Sequence, residues 1–298
     1  MPRMQTFIAY LQLVRAANGL TALSNILAAA VIALTLGSAS STAWSWTDLI
    51  LLGLSSLSLY YAGMTLNDVV DYAEDLAERP SRPLPSGRVP LRHARLLCGA
   101  LFASGLVAAS AVSLQSLLLA AVLSLCIVAY DCLLKNGMGG AVMMGSCRGL
   151  NWLLGLSIVP LSPSLGLWAV PIWLYISALT YLSKQETRAQ QPRALLPTAL
   201  LLIASLCTLL LLAYWYAVWT PLFVGVVAVC TALLTRRLVQ TWRSFTPSNI
   251  QHSIVFMLIG VIPLDALMVL AVDQPLLAAA IVALSVPTRY LSKRIAMT

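Results

Sequence analysis

The chain has 298 residues, 60% of them hydrophobic and only 9% charged, with a mean hydropathy of +0.88. A water-soluble core of this length has no use for so much apolar surface, so the composition excludes a soluble globular enzyme and makes the bilayer the solvent. The formal charge of +8 belongs to no soluble basic face, which excludes nucleic-acid binding and leaves anionic lipid headgroups as its counterpart.

A hydrocarbon layer of about 30 Å is crossed by roughly 20 apolar residues as a helix, and helices satisfy their own backbone polar groups there. The expected fold is therefore an all-α polytopic membrane protein, one domain over 1–298. Apolar runs predict segments near 11–36, 47–66, 92–112, 114–134, 138–160, 165–183, 194–216, 218–235, 251–271 and 274–290, the last of them short. The first run is long and has no small-residue cleavage site, so it is read as a retained span and not as a signal peptide.

Basic residues alternate loop by loop. Arg79, Arg82, Arg88, Arg92 and Arg95 follow the second segment, Lys135 the fourth, and Lys184, Arg188 and Arg193 the sixth. Arg236, Arg237 and Arg243 follow the eighth, Arg289, Lys293 and Arg294 the tenth, and the intervening loops carry none. The positive-inside rule then puts these loops and the N-terminus, with Arg3, in the cytoplasm of a multi-pass protein, expected in a bacterial inner (plasma) membrane. Cys98, Cys126, Cys132, Cys147, Cys207 and Cys230 lie in apolar runs without a CxxC pair and read as small buried hydrophobes. His93 and His252, at helix starts on the basic side, read as headgroup contacts.

Five of the ten acidic residues fall between Asp68 and Glu78, directly after the second apolar run. On a continuing helix Asp68, Asp71 and Asp75 share a face, with Asn67 beside them, and their mutual repulsion calls for a cation. Hard oxygen donors of this kind suit Mg²⁺. The bland alternative is a solvated acidic loop paired with the arginines that follow. Next comes Arg79-Pro-Ser-Arg82-Pro-Leu-Pro-Ser-Gly87-Arg88, whose prolines and glycine predict an extended, turned path that holds guanidinium groups near the acids. Arginine forks match phosphate oxygens, so carboxylates for a metal beside arginines for an anion compose a diphosphate clamp. Ordinary positive-inside flanking accounts equally well for Arg92 and Arg95.

Asn67-Asp68-x-x-Asp71-x-x-x-Asp75 with the Arg-Pro-x-Arg-Pro-Leu-Pro-Ser-Gly stretch resembles the first signature of the UbiA superfamily of intramembrane prenyltransferases. Tyr10-Leu-Gln-Leu-Val-Arg15-Ala-Ala-Asn18 is similar to that family's first-helix entry, and Tyr130-Asp131 through Lys135 to its fourth-helix end. Gly145-Ser-Cys-Arg148-Gly-Leu-Asn151, Ser183-Lys-Gln-Glu186 and Leu264-Asp265-Ala266 look most like the EboC-like branch. The resemblance implies a bundle of nine core helices, with a possible tenth here, around a lipid-open cavity under cytoplasmic cap loops. It implies a polyprenyl diphosphate held through Mg²⁺, ionised, and attacked by an acceptor in the membrane. By position, Asn67, Asp68, Asp71 and Asp75 would hold metal, with the aspartates and Asp131 in catalytic roles, and Arg15, Asn18, Arg82, Arg88 and Lys135 would contact diphosphate. The family's second signature normally carries several aspartates, whereas Ala178 through Glu186 offers one carboxylate. Glu186 would then complete a single shared metal site, or Lys184 would replace an ion's charge on the diphosphate.

Arg148 lies well inside an apolar run with Asn151 on the same face. A charge at that depth costs about 2.5–3.5 kcal/mol on insertion scales and needs a mate. Asp131, serving as a structural ion pair between the fourth and fifth helices, or the bound diphosphate would supply it, placing Arg148 and Asn151 among the substrate-binding residues. Asp265, after Pro263, is a second costly charge, facing the cavity or protonated. Tyr60, Tyr61, Trp152, Trp173 and Tyr175 would line an isoprenoid channel or serve as core and interface anchors. Beside the transferase stand a non-catalytic isoprenoid-binding protein, favoured by the reduced second motif, and a secondary transporter, for which no inverted repeat is visible.

Overall fold

The computed structural model describes residues 2–37, 44–186, 192–216 and 218–294, with side chains from 5 to 290; Arg188 lies outside them. Every regular element among the described residues is helical. The α-helices are α1 Pro2–Leu13, α2 Ala16–Leu36, α3 Trp46–Val70, α4 Tyr72–Glu78, α5 Leu91–Ser110, α6 Leu114–Cys132, α7 Gly137–Leu156, α8 Pro163–Gly166 and α9 Val170–Ser183. They continue with α10 Leu195–Trp215, α11 Pro221–Arg243, α12 Pro247–Ile259, α13 Val261–Leu270, α14 Pro275–Ala283 and α15 Ser285–Arg294.

Among the described residues eight helical stretches are long and apolar enough to cross a membrane: α2, α3, α5, α6, α8 with α9, α10, α11, and α12 with α13. α7 has the length, at 20 residues, but Arg148, Asn151 and its glycines lower its hydropathy. With it the described residues carry the nine core spans expected, and the shorter apolar stretch Pro275–Tyr290 stands where the tenth was placed.

Local chemistry sets the ends. Ser45 caps α3 in a reciprocal box with Asp48, and Ser113, Thr220 and Thr246 accept from the third residue of α6, α11 and α12. Two boundaries lie furthest from the ends of the apolar runs. The run 11–36 breaks at Arg15, so the first span starts at Ala16 and α1 precedes it as a separate helix. The eighth span reaches Arg243 instead of ending at 235, because Thr235, Arg236 and Arg237 continue the helix beyond the apolar stretch.

α7 packs against α2, α6 and α9 and sits at the centre of the bundle. Glycine permits this. A methyl group at Gly155 would stand 2.7 Å from the Ala29 side chain and 3.0 Å from the backbone of Ile26, so α2 and α7 meet nearly backbone to backbone. A small second core, Ala9, Leu13, Leu84, Val89 and Ala94, fastens α1 and the 79–90 loop over the end of the bundle where α3 stops. The expectation for the cysteines holds for Cys98 and Cys147. Cys126 and Cys230 are half-buried, and Cys132 and Cys207 face outward, where a small thiol contacts lipid at little cost.

Candidate active site

Five segments meet beneath that cap. α3 brings Asn67 and Asp68 in its last turn, Asp71 closes it with φ −80° and ψ 4°, and Asp75 follows on α4. The helix is interrupted at Asp71, yet the Asp71 amide still donates to the Asn67 carbonyl at 3.0 Å and the Asp75 amide to the Asp71 carbonyl at 2.9 Å. The turn therefore stays close to helical register. Asp68 and Asp75 come together, while Asp71 turns toward Lys135 at the α6–α7 turn.

Each of these acids has a cation. Arg82 Nη1 lies 2.7 Å from Asp75 Oδ2 and 3.7 Å from Asp68 Oδ1, bridging the two. Arg15 Nη2 donates to Asp68 Oδ1 at 3.1 Å, and Lys135 Nζ pairs with Asp71. Asp131, at the end of α6, accepts from the Asn67 side-chain amide at 2.9 Å. Asp68, Asp75 and Asp131 are all buried.

The backbone records the demand on Arg15. It sits between α1 and α2 with φ 49° and ψ 52°, a left-handed conformation that costs a non-glycine residue about 1–2 kcal/mol. The contact with Asp68 accompanies that strain, as at many functional sites. The loop after α4 is turned and not extended: Gly87 has φ 72°, and the Ser86 and Val89 amides donate to the Arg82 and Pro83 carbonyls. That fold carries Arg82 back over the acids.

Several expected residues stand apart from the ion pairs. Arg88 is exposed and pins the loop, donating to Gln12 Oε1 at 2.8 Å and the Ser81 carbonyl at 2.6 Å. Glu186 is half-buried and forms no ion pair among the described residues. Asn18 stands one turn below Arg15, beside Tyr60. Lys184 is near Lys135, its Nζ buried without a hydrogen-bond partner and 5.6 Å from the centre of the Tyr130 ring. Burial, with the Lys135 charge, pushes its ammonium below the usual lysine range.

Arg148 does not pair with Asp131, the mate expected for it within the chain. Its Nη1 donates to Asn25 Oδ1 at 3.0 Å and its Nη2 to Thr21 Oγ1 at 2.8 Å, because Asp131 is engaged with Asn67. Asn151 accepts from Ser56 at 2.7 Å and donates to the Ala22 carbonyl at 3.1 Å. Asp265 has mates after all: Ser24, Asn25 and the Trp152 indole donate to it at 2.5–3.1 Å. Thr21 and Asn25 escaped the sequence reading, although Asn18, Thr21 and Asn25, spaced three and then four residues apart, make one polar stripe on α2.

Among the described residues no three His, Cys, Asp or Glu side chains stand close enough to share a metal ion. The donor set of Asn67, Asp68, Asp71 and Asp75 nonetheless fits magnesium by its chemistry. Asp75 Oδ1 is buried without a hydrogen bond, the Arg79 guanidinium standing 3.5 Å away. Its free lone pairs are what a bound cation would use.

Residues 26–262 match the UbiA prenyltransferase family. A digeranylgeranylglyceryl phosphate synthase of Sulfolobus acidocaldarius is 40% identical over 100 residues, 33% of this chain and 34% of that protein. One from Haloquadratum walsbyi is 31% identical over 150 residues, 49% of this chain and 52% of that protein. The chain thus spans a third to a half of the length of these curated relatives. Among solved structures, that of a digeranylgeranylglyceryl phosphate synthase in membranes superposes with a TM-score of 0.68 at 17% identity, covering 93% of this chain and 99% of that one. A UbiA homologue from Archaeoglobus fulgidus bound to GPP and Mg²⁺ superposes with a TM-score of 0.52 at 15% identity, covering 92% and 99%. At these identities the likeness carries the fold.

Proposed function

The chain belongs to the UbiA prenyltransferase family, and from that premise we propose that it moves a polyprenyl group from its diphosphate to an acceptor held in the membrane, with magnesium, as a single functional unit. The observation that carries this is the cluster itself: buried Asp68 and Asp75 bridged by Arg82, with Arg15, Lys135 and Lys184 around them. Archaeoglobus structures of the family hold DMAPP or GPP together with Mg²⁺, which supports the metal. The named relatives are archaeal and lend nothing to a bacterial envelope. The alternating basic loops favour a cytoplasmic clamp.

On this reading Asn67, Asp68, Asp71 and Asp75 hold the metal, which would draw charge from the diphosphate when bound. Arg15, Arg82 and Lys135, already gathered by the carboxylates, turn part of their hydrogen bonding to phosphate oxygens, and Lys184 brings a charge that has no partner to leave. The C1–O bond of the prenyl diphosphate breaks with its electron pair passing to the leaving oxygen. The acceptor's nucleophile bonds to C1, and Asp131 takes its proton. The Asn67 amide, held by Asp131, couples the two sides of the site. α1 and the 79–90 loop keep bulk water from the reacting carbon.

The test is binding of labelled geranylgeranyl diphosphate to the purified protein in detergent, with and without Mg²⁺, for wild type and Asp71→Ala, while diphosphate release is followed. Metal-dependent binding lost in Asp71→Ala, with release when acceptors are added, is expected. Binding without release under any acceptor would favour an isoprenoid-handling protein with a reduced second motif, and absence of binding would refute the clamp.

A further inference from the structure

We infer that the groove between α10 and α11 is a site for one anionic lipid of the leaflet on the clamp side, with a chain lying along the groove and the phosphate at the arginines that close one end. The site is separate from the clamp, and the inference stands whichever reaction the clamp performs.

A cavity of about 660 Å³ lies between α10, α11 and the α12–α13 pair, within the size range of small-molecule sites. Among the described residues, none of its walls comes from α2 to α7, which carry the clamp and the polar network below it. Its back wall is Tyr175, whose hydroxyl donates to the Met257 carbonyl at 2.7 Å and lies 2.4 Å from where a methyl at Gly260 would stand. Its rim opens to the hydrocarbon, since Leu196, Ile203, Leu233 and Val239 line it and are exposed. On α10 it runs from Leu195 to Leu209, a rise of about 21 Å. That exceeds half of a hydrocarbon layer of about 30 Å, the depth one lipid chain reaches from its own leaflet.

The groove exists because α11 is fastened elsewhere. Arg237 donates to Ser253 Oγ at 3.0 Å and to the Asn249 carbonyl at 2.8 Å, and the Thr241 and Ser253 hydroxyls share a hydrogen bond of 2.6 Å. This clasp ties the end of α11 to α12, while α11 packs only lightly on α10. Thr231, Thr235 and Val239 line the groove four residues apart, and the next place in that row is Arg243.

Charge selects the occupant. No acidic residue lies between Thr187 and Leu264. At the clamp-side end, Arg193 stands exposed at the foot of α10, Arg236 and Arg243 are exposed near the end of α11, and Arg289 of α15 belongs to the lining. Trp242 also lines that end and is 49% exposed, as suits an indole at headgroup level. An apolar slot closed by tryptophan and arginine matches a lipid with an anionic head. A neutral lipid would gain the slot and nothing from the arginines. A second copy docked by the same face would bring its own arginines to the same level, like charge against like, because an isologous contact pairs a patch with itself.

The experiment presents delipidated protein in non-ionic detergent with equal amounts of phosphatidylglycerol and phosphatidylcholine of identical chains, and counts retained lipid by native mass spectrometry. Wild type is expected to keep one phosphatidylglycerol, at least about fivefold in preference to phosphatidylcholine. Arg243→Gln combined with Arg289→Gln should bring the ratio to about one, and each single variant part of the way. Arg95→Gln, exposed on α5 away from the groove, should leave the ratio unchanged. Val239→Trp fills the groove from an exposed position and should lower retention of both lipids; Ile203→Trp fills it from the opposite wall and carries the same expectation should the first variant fold poorly. Equal retention of the two lipids by wild type overturns the inference, as does a preference that survives loss of both arginines or falls equally in Arg95→Gln. Undiminished retention in the filled variants overturns it too, since the lipid then sits elsewhere on the protein.

Discussion

Removal of Arg82 tests whether the acids are held as a charge cluster or merely lie near arginines. Arg82 is 12% exposed and Asp75 1% exposed, and they are 2.7 Å apart, with Asp68 at 3.7 Å. At an effective dielectric of about 20 those separations correspond to roughly 6 and 4 kcal/mol of attraction before desolvation is subtracted. Breaking a buried pair while leaving its partner charged costs about 3–5 kcal/mol. Arg82→Gln is therefore expected to lower unfolding stability by about that amount in detergent without metal or substrate. Arg79 is the internal control: its guanidinium is 50% exposed and 3.5 Å from Asp75, so Arg79→Gln should cost less than about 1 kcal/mol. Asp75→Asn made in the Arg82→Gln background should recover much of the loss, because the stranded carboxylate is then neutral. Chemical unfolding of wild type, Arg82→Gln, Asp75→Asn and the double variant gives the coupling energy of the Arg82–Asp75 pair. An Arg82→Gln cost no larger than that of Arg79→Gln would refute the cluster as described.

Three further outcomes follow from particular contacts. Lys184 has a depressed folded pKa, from burial and then Lys135, so between that value and the ordinary lysine pKa the unfolded chain binds the extra proton and stability rises with pH. Lys184→Met should remove this alkaline rise in thermal denaturation, and a rise unchanged in the variant would assign it elsewhere. Arg15→Gly should be more stable than Arg15→Ala by about 1 kcal/mol, since only glycine adopts φ 49° freely, while both lose prenyl-diphosphate affinity alike; equal stability of the two would refute the strained backbone. Gly155→Val, pressed on the Ile26 backbone, should destabilise by about 1–3 kcal/mol, read as a lower unfolding midpoint, whereas Gly99→Val, with nothing within 4 Å, should change little.

What could be read from the sequence followed from one-dimensional signals. Apolar run length gives the spans, and the three- and four-residue spacing of Asp68, Asp71 and Asp75 gives the acidic helix end. What escaped depends on register between helices. Nothing along the chain pairs Asn67 with Asp131, or Arg148 with residues 123 and 127 positions away. The Arg15 break escaped for a different reason, since Val14-Arg15-Ala16 carries no helix breaker. Arg88 shows the same limit: its place in the motif suggests phosphate, while in the structure it donates to Gln12.

The single carboxylate of the second motif becomes intelligible once the charges around the clamp are summed. Leaving aside the half-exposed Arg79, Asp68, Asp71, Asp75 and Asp131 face Arg15, Arg82, Lys135 and Lys184, four against four, so the cluster counted by formal charge is close to neutral. A prenyl diphosphate brings about three negative charges. One divalent ion leaves the loaded cluster near −1 and a second would leave it near +1, so neither is excluded by charge alone. The difference lies in Lys184, whose ammonium has, among the described residues, no carboxylate to release and no hydrogen bond to break. A second acidic motif would set an anion beside that lysine and cancel the one cation already available to the substrate. With Lys184 in place, a second ion has little left to neutralise, and on the proposed reading one magnesium on the first motif suffices, with Glu186 free to stand outside the cluster.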